Sequence, residues 1–304
     1  MFRFLVLAVC VASVSGVFAQ QSKLEIYFNQ VRAGKYPSIP TEITKPETAS
    51  NALSVLNGYL NDSIVFVRQR AASVSRYIGT QSKVNAVRTK AVDQLVMAAK
   101  DKDNGNVGAA LLYLTEFKKK DFTKSNQDTL YSIFKRKQAH LNILIRLMGY
   151  LEIQTSKNDL YNLSQDQSLG RKDRWTAMLA LARMNDEQAI TDVLNRVKRM
   201  PLTDAVVYDI FPDLVFTRRP EAISFLVEAI YSDAKNCESP NSDNAERIPC
   251  AYRIMEMLAP VIENYPLKQN ASGDIETTDY TGALQQVRNW FKSYTNYSIL
   301  RDTY

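Results

Sequence analysis

The sequence predicts an all-α protein, an α-solenoid built from stacked antiparallel helix pairs. A short apolar motif recurs along the 304 residues at intervals of 32 to 40, and each copy opens a stretch with helical periodicity. The clearest copies are Val67, Arg68, Ala71, Val74, Gly79 and Arg174, Ala177, Ala180, Leu181. Weaker ones are Val107, Gly108, Leu111, Leu114 and Leu141, Asn142, Ile145, Met148, Gly149. With register marks at 68, 108, 142, 174 and a degenerate fifth at Tyr208, the gaps are 40, 34, 32 and 34 residues. A period in that range belongs to helix pairs that stack because one pair cannot bury its apolar face alone. No run of alternating apolar and polar residues competes as a β-sheet.

The first 19 residues are read separately. Arg3, the apolar run Phe4 to Val14 and then Val17, Phe18, Ala19 before Gln20 form a secretory leader cleaved after Ala19. The run is shorter than the ~20 apolar residues of a membrane span, and Val9 is too large for the small residue that precedes a lipidated cysteine at Cys10. Cleavage leaves 285 residues, lowers the formal charge from +6 to +5 and removes Cys10. No later segment approaches membrane-spanning length. The expected compartment is therefore the periplasm or the exterior. Cys237 and Cys250, the two remaining cysteines, enclose 12 polar, turn-rich residues; in an exported chain they are most simply a disulfide. Zinc wants four ligands, and the chain has one histidine, His140.

In chain order, Leu24 to Val31 reads as a first helix, and Pro37, Pro40 and Pro46 as an extended link, so residues 20–47 precede a repeat domain over 48–304. Thr48 or Ser50 is the expected cap of a helix carrying Ala52, Leu53, Leu56 and Leu60; Ser63 is the expected cap of Ile64 to Ile78, which Gly79 would stop. Lys83 to Ala99, Val107 to Phe117, 126–136, 138–152, 157–163 and 171–184 follow as pairs. Beyond Glu187 to Met200, the segment 203–217 carries Pro212, which predicts a bend near Phe211. Glu221 to Ala234, the cysteine loop, 248–264 and 280–295 complete the chain.

Val67, Arg68, Ala71 and Gly79, preceded by Asp62, resemble the second helix of a HEAT repeat, and Asp173, Arg174, Ala177, Ala180, Leu181 is the other good match. The resemblance covers residues 48–184; residues 185–304 continue it only as degenerate repeats. It implies a HEAT/armadillo-like superhelix in which aspartate and arginine form a ladder between neighbouring repeats and alanines let helices pack closely. Gly108, Asn142 and Tyr208 stand where that ladder needs arginine, so interruptions are expected. The motif specifies architecture rather than a site.

Signals of chemistry are absent. No phosphate loop, nucleophile elbow or paired metal motif occurs, and His140, flanked by Ala139 and Leu141, reads as a packed or capping histidine. No catalytic, cofactor or metal residue is assigned. The function expected is an exported, non-catalytic binding or scaffold protein that engages a protein partner. Basic residues recur near repeat ends, at Lys118, Lys119, Lys120, Lys135, Arg136, Lys137, Arg171, Arg218 and Arg219. Aligned on a solenoid they would make a ridge for an anionic glycan or envelope surface, whereas singly they only complement helix dipoles. The modest charge excess does not demand nucleic acid. An α/α-toroid polysaccharide lyase is the other alternative; it would need His140 in a cleft beside a tyrosine and an arginine. Trp290, Phe291, Tyr294, Tyr297 and Tyr304 crowd the C-terminus; exposed aromatics would suit carbohydrate, but Trp290, Phe291 and Tyr294 fall on one face of the last helix, where they are expected to cap the open end of the core. Sequons occur at Asn61, Asn162, Asn270 and Asn296.

Overall fold

The computed structural model describes residues 23–136, 139–239, 246–270 and 273–304. The leader expected over 1–19, Lys137 of the basic ridge and residues 240–245 of the cysteine loop lie outside them. The described residues are helical, with isolated β-bridges and no extended strand among them. Contacts divide the chain into two compact units, one running up to Leu147 and including Tyr304, the other Met148–Thr303.

The first unit holds α1 (23–32), α2 (Pro46–Tyr59), α3 (Val65–Gln81), α4 (Asn85–Ala98), α5 (Asn104–Leu114) and α6 (Lys124–Lys135). Helix α7 (Leu141–Tyr150) spans the division. In the second unit come α8 (Lys157–Gln165), α9 (Arg171–Arg183), α10 (Glu187–Val197), α11 (Asp204–Asp209), α12 (Phe211–Thr217), α13 (Pro220–Ile230), α14 (Ala251–Leu258) and α15 (Tyr280–Ser293). In the first unit α2 packs on α3, α3 on α4 and α4 on α5, and α2 on α4, α3 on α5 and α4 on α6 add next-but-one contacts. That is the stacking of helix pairs, and the second unit repeats it. There α11 and α12 act as one helix broken at Ile210 by Pro212, so α9 meets α12 and α10 meets α13. The predicted bend is present.

Local chemistry sets the boundaries. Asp103 Oδ1 accepts from Asn106 N at 2.9 Å to start α5, Thr123 and Asn126 form a reciprocal capping box on α6, and Asp186 and Asp279 cap α10 and α15. Three expected boundaries differ. Helix α2 starts at Pro46, whose fixed φ and missing N–H suit the first helical position, so Thr48 and Ser50 lie inside it. The turn before α3 is closed by Asp62 Oδ1, accepting from Ile64 N at 2.9 Å, rather than by Ser63. Gly79 does not stop α3, which continues to Gln81. A Cβ there would lie 2.6 Å from Ala91 Cβ and 2.7 Å from the Phe117 ring, so this glycine permits close helix approach.

Motif residues Val67, Ala71 and Ala177 are fully or almost fully buried, as core positions should be. The sequence period reappears as polar cross-links. Arg68 reaches Asp101, Arg88 reaches Asp121 and Asn126 reaches Asp93, each 33 residues away. In the second unit Arg183 reaches the Phe216 carbonyl, again at 33, and Arg219 reaches Glu187 at 32. The described residues ahead of α2 are also packed down: Phe28 stacks on Tyr59 at 3.9 Å, and Arg70 donates to Tyr27 Oη and to the Pro37 carbonyl. Cys237 and Cys250 form the expected disulfide, with Cα atoms 5.0 Å apart, and Cys237 and Ile248 exchange backbone hydrogen bonds beside it. No helix among the described residues is long and apolar enough to cross a membrane.

Two glycines test the packing argument. A Cβ on Gly149 would lie 2.7 Å from Ala180 Cα, a backbone atom that cannot swing aside, whereas a Cβ on Gly58 meets nothing within 4 Å. Gly149→Ala should therefore destabilise by about 1–3 kcal/mol through overpacking. Gly58→Ala should be neutral or stabilise by roughly 0.5–1 kcal/mol, because helical glycine costs backbone entropy. Urea unfolding of both variants reads the two signs.

Candidate functional site

Aspartate–arginine pairs tie turns together in the first unit, and the second unit uses other contacts. Asp62 receives Nη2 of Arg32, the last residue of α1, at 2.6 Å, and Asp101 receives Arg68 through Nε at 2.7 Å and Nη2 at 2.8 Å. Arg68 also donates to the Asp62 and Ser63 carbonyls, which turns one guanidinium into a tie between two successive turns. Burial would raise the Asp101 pKa. Hydrogen bonds from Arg68, the Asp103 N–H and Asn106, with the Arg68 charge, outweigh it and hold the carboxyl at about 2. A groove of about 400 Å³ runs over these turns, with Met97, Lys100 and Lys102 on its walls. At the second motif copy the arginine closes only its own turn, because Arg174 donates to the Leu169 carbonyl at 2.9 Å and the Asp166 carbonyl at 3.4 Å.

The second unit is organised by arginines that sequence reasoning did not single out. Arg183, at the end of α9, is fully buried. Its guanidinium donates to the carbonyls of Phe216, Arg301 and Thr303 and lies between the Tyr150 and Phe216 rings, at 5.1 and 4.9 Å. Its Nε has no partner among the described residues. Burial first, then the charges of Arg218 and Arg301, pull its pKa down to about 9. It stays cationic at neutral pH. Arg301 returns the contact by donating to the Arg183 and Arg218 carbonyls and pairing with Glu152 at 2.8 Å, while Tyr150 Oη donates to the Asp302 carbonyl at 2.8 Å. The C-terminal segment is thus laid over α9 and α12 by main-chain carbonyls that accept from buried cations.

Beside this segment lies an open cleft of about 820 Å³. Arg219 lines it, buried and held between Glu187 and Glu221, whose side chains are 77% and 46% exposed. These pairs push the Arg219 pKa upward. Arg218 has a left-handed backbone, φ 51°, and donates to the Leu300 and Val215 carbonyls.

Arg218 and Arg219 are therefore not part of an exposed ridge: at 4% and 5% exposure they face inward, because the α12–α13 turn leaves carbonyls that need donors. Lys118, Lys120, Lys135 and Arg136 are exposed in the first unit and Arg171 in the second; Lys119 is half-buried. His140 is exposed rather than packed among Leu141, Leu144 and Leu147. It precedes α7 at φ 62°, its Nε2 lies 2.9 Å from the Asn104 carbonyl, and its ring covers Gly108. It lines none of the clefts described here. Among the described residues no cluster of three or more metal-ligating side chains occurs.

Two measurements test these contacts. The Asp101 pKa is depressed on folding from 3.8 to about 2, so its stabilisation is complete above pH 3.8 and is lost as pH falls through about 2. Asp101→Asn should be less stable than the parent at neutral pH, and the two acid-unfolding curves should converge across that window. A chain ended at Ile299 lacks two of the three carbonyls that accept from Arg183, those of Arg301 and Thr303, and loses Arg301 itself. Stranding a buried cation costs about 3–5 kcal/mol, a large drop in the urea midpoint. In comparisons with known proteins, no family model and no curated protein matches this chain.

Proposed function

We propose that the chain is an exported, non-catalytic HEAT-like α-solenoid that binds a protein partner through its helical-repeat surface. The observation that carries this reading is the open cleft of about 820 Å³ in the second unit, whose charged groups are locked to one another before any ligand arrives. A site so open encloses little of a small molecule. A protein segment can lie along it, and side chains already held in place lose little entropy on binding. The buried Arg219 points its pairing outward to Glu187 and Glu221, so what a partner meets is a rim of carboxylates backed by cations. Engaged groups of this kind position and discriminate a partner. The disulfide suits an oxidising compartment, and the leader-like residues 1–19 suit export. The lyase alternative needs His140 in a cleft beside a tyrosine and an arginine, and its Nε2 instead lies 2.9 Å from the Asn104 carbonyl, outside the clefts described here.

The anionic-glycan or envelope-surface reading keeps one observation in its favour, the exposure of Lys118, Lys120, Lys135 and Arg136. One experiment separates the readings. The chain without residues 1–19 is immobilised and challenged with the envelope and secreted fraction of its own source at low and moderate salt. The same is done with Glu187→Lys and with a triple charge reversal at Lys118, Lys119 and Lys120. A stoichiometric protein retained at moderate salt, lost with Glu187→Lys and kept by the triple variant, is the expected result. Retention of acidic polymers alone, lost with salt and with the triple variant, overturns the partner reading in favour of the basic surface.

A further inference from the structure

The clefts of this protein differ in what their polar groups are doing. In the groove beside Arg68 and the cleft beside Arg219, charges are spent on each other. A third cleft, of about 410 Å³, lies where α15 ends and is built differently. The rings of Trp290, Tyr294 and Tyr297 line it, together with Glu263, Asn264 and Asn296. Tyr294 is 60% exposed and stacks on Trp290, with centroids 5.4 Å apart and planes 24° from parallel, so its outer face meets solvent. Trp290 in turn packs edge-on against the buried Phe291 at 5.1 Å. This fixes the platform to the core.

The polar walls are fixed too. Glu263 N donates to the Ser298 carbonyl at 3.0 Å, and Leu300 N donates to the Val261 carbonyl at 2.8 Å, so the strand-like segments carrying Glu263 and Asn296 are tied by their backbones. Asn264 is held at φ 56°. The side chains of Glu263, Asn264 and Asn296 have no hydrogen-bond partner in the protein among the described residues. An exposed flat ring framed by one carboxylate and two amides is complementary to a molecule with an apolar face and a hydroxyl rim. The ring removes C–H surface from water, amides both donate and accept, and a carboxylate accepts from hydroxyls.

We propose that this cleft is a saccharide subsite that takes an uncharged pyranose ring against Tyr294 and Trp290, with its hydroxyls on Glu263, Asn264 and Asn296. The Glu263 carboxylate selects against anionic sugars. The volume falls within the range of about 300–1,000 Å³ typical of small-molecule sites. Asn296 and Tyr297 line both this cleft and the larger one of the partner reading, but the saccharide inference rests on Tyr294, Trp290, Glu263 and Asn264, which the larger cleft does not include. Asn296 is also the acceptor of an Asn-Tyr-Ser sequon, and a sugar attached there would enter the same cleft. The ligand argued for is a free or polymeric glycan, so the test protein is made in a host without N-glycosylation.

The full chain without residues 1–19 is titrated calorimetrically with chitotriose, cellotriose and mannotriose. Binding of at least one, with a Kd on the order of 0.1–1 mM, is expected. Tyr294→Ala, at an exposed position, should weaken it at least about tenfold with an unchanged melting temperature, and Asn264→Ala should weaken it less. Absence of heat with all three sugars up to about 10 mM, or affinity indifferent to both substitutions, overturns the proposal. So does a preference for sulfated or uronic oligosaccharides that disappears with salt, which would point to the basic surface.

Discussion

A guanidinium that reaches one helix pair along the chain is the contact on which the rest of this structure depends. Helices stacked in sequence touch mainly their neighbours, so each pair must be locked in register to the next. Apolar packing alone tolerates sliding. Arg68 on Asp101, Arg88 on Asp121, and Arg219 on Glu187 remove that freedom, because a planar fork satisfies its partner in one orientation. Arg183 does the same with the Phe216 carbonyl, and its cost is plain in the lowered pKa and the unpartnered Nε. A buried cation of this kind specifies a neighbour more than it adds stability.

Close approach is the second constraint. Gly79, Gly108 and Gly149 each sit where a Cβ would collide with Phe117, His140 or Ala180, and Ala71 and Ala177 are fully buried. Small residues bring backbones near enough for the cross-links to reach, and the cross-links hold the helices at that distance. His140 belongs to this packing. Its ring takes the space that Gly108 leaves, and its Nε2 lies 2.9 Å from the Asn104 carbonyl.

The polar groups that face solvent are not all the ones the sequence alone would pick out. Arg218 and Arg219 read in sequence as a basic ridge, yet the turn between α12 and α13 turns them inward onto carbonyls and carboxylates. The exposed lysines of the first unit and the unpaired rim around Tyr294 are what solvent meets instead. The last helix serves two ends. Val287 and Phe291 close the core, as its apolar face predicts, while Trp290 and Tyr294 carry the same stripe out into solvent.

The sequence by itself determined the helix pairs, their period and the disulfide. Each of those is local: apolar residues at helical spacing, and two cysteines 13 positions apart. It also carried the bend at Pro212 and the inward alanines. Misjudged boundaries came from competing local signals, with Pro46 opening α2 ahead of Thr48 and Gly79 serving packing rather than termination. Only the tertiary structure decided which arginines are buried. Arg183 and Arg301 meet across 118 residues, and Arg301 and Glu152 across 149, with no periodicity to announce the pairing. A side chain's charge is written in the sequence, but whether that charge faces water or a carbonyl is set by whatever segment the fold lays across it.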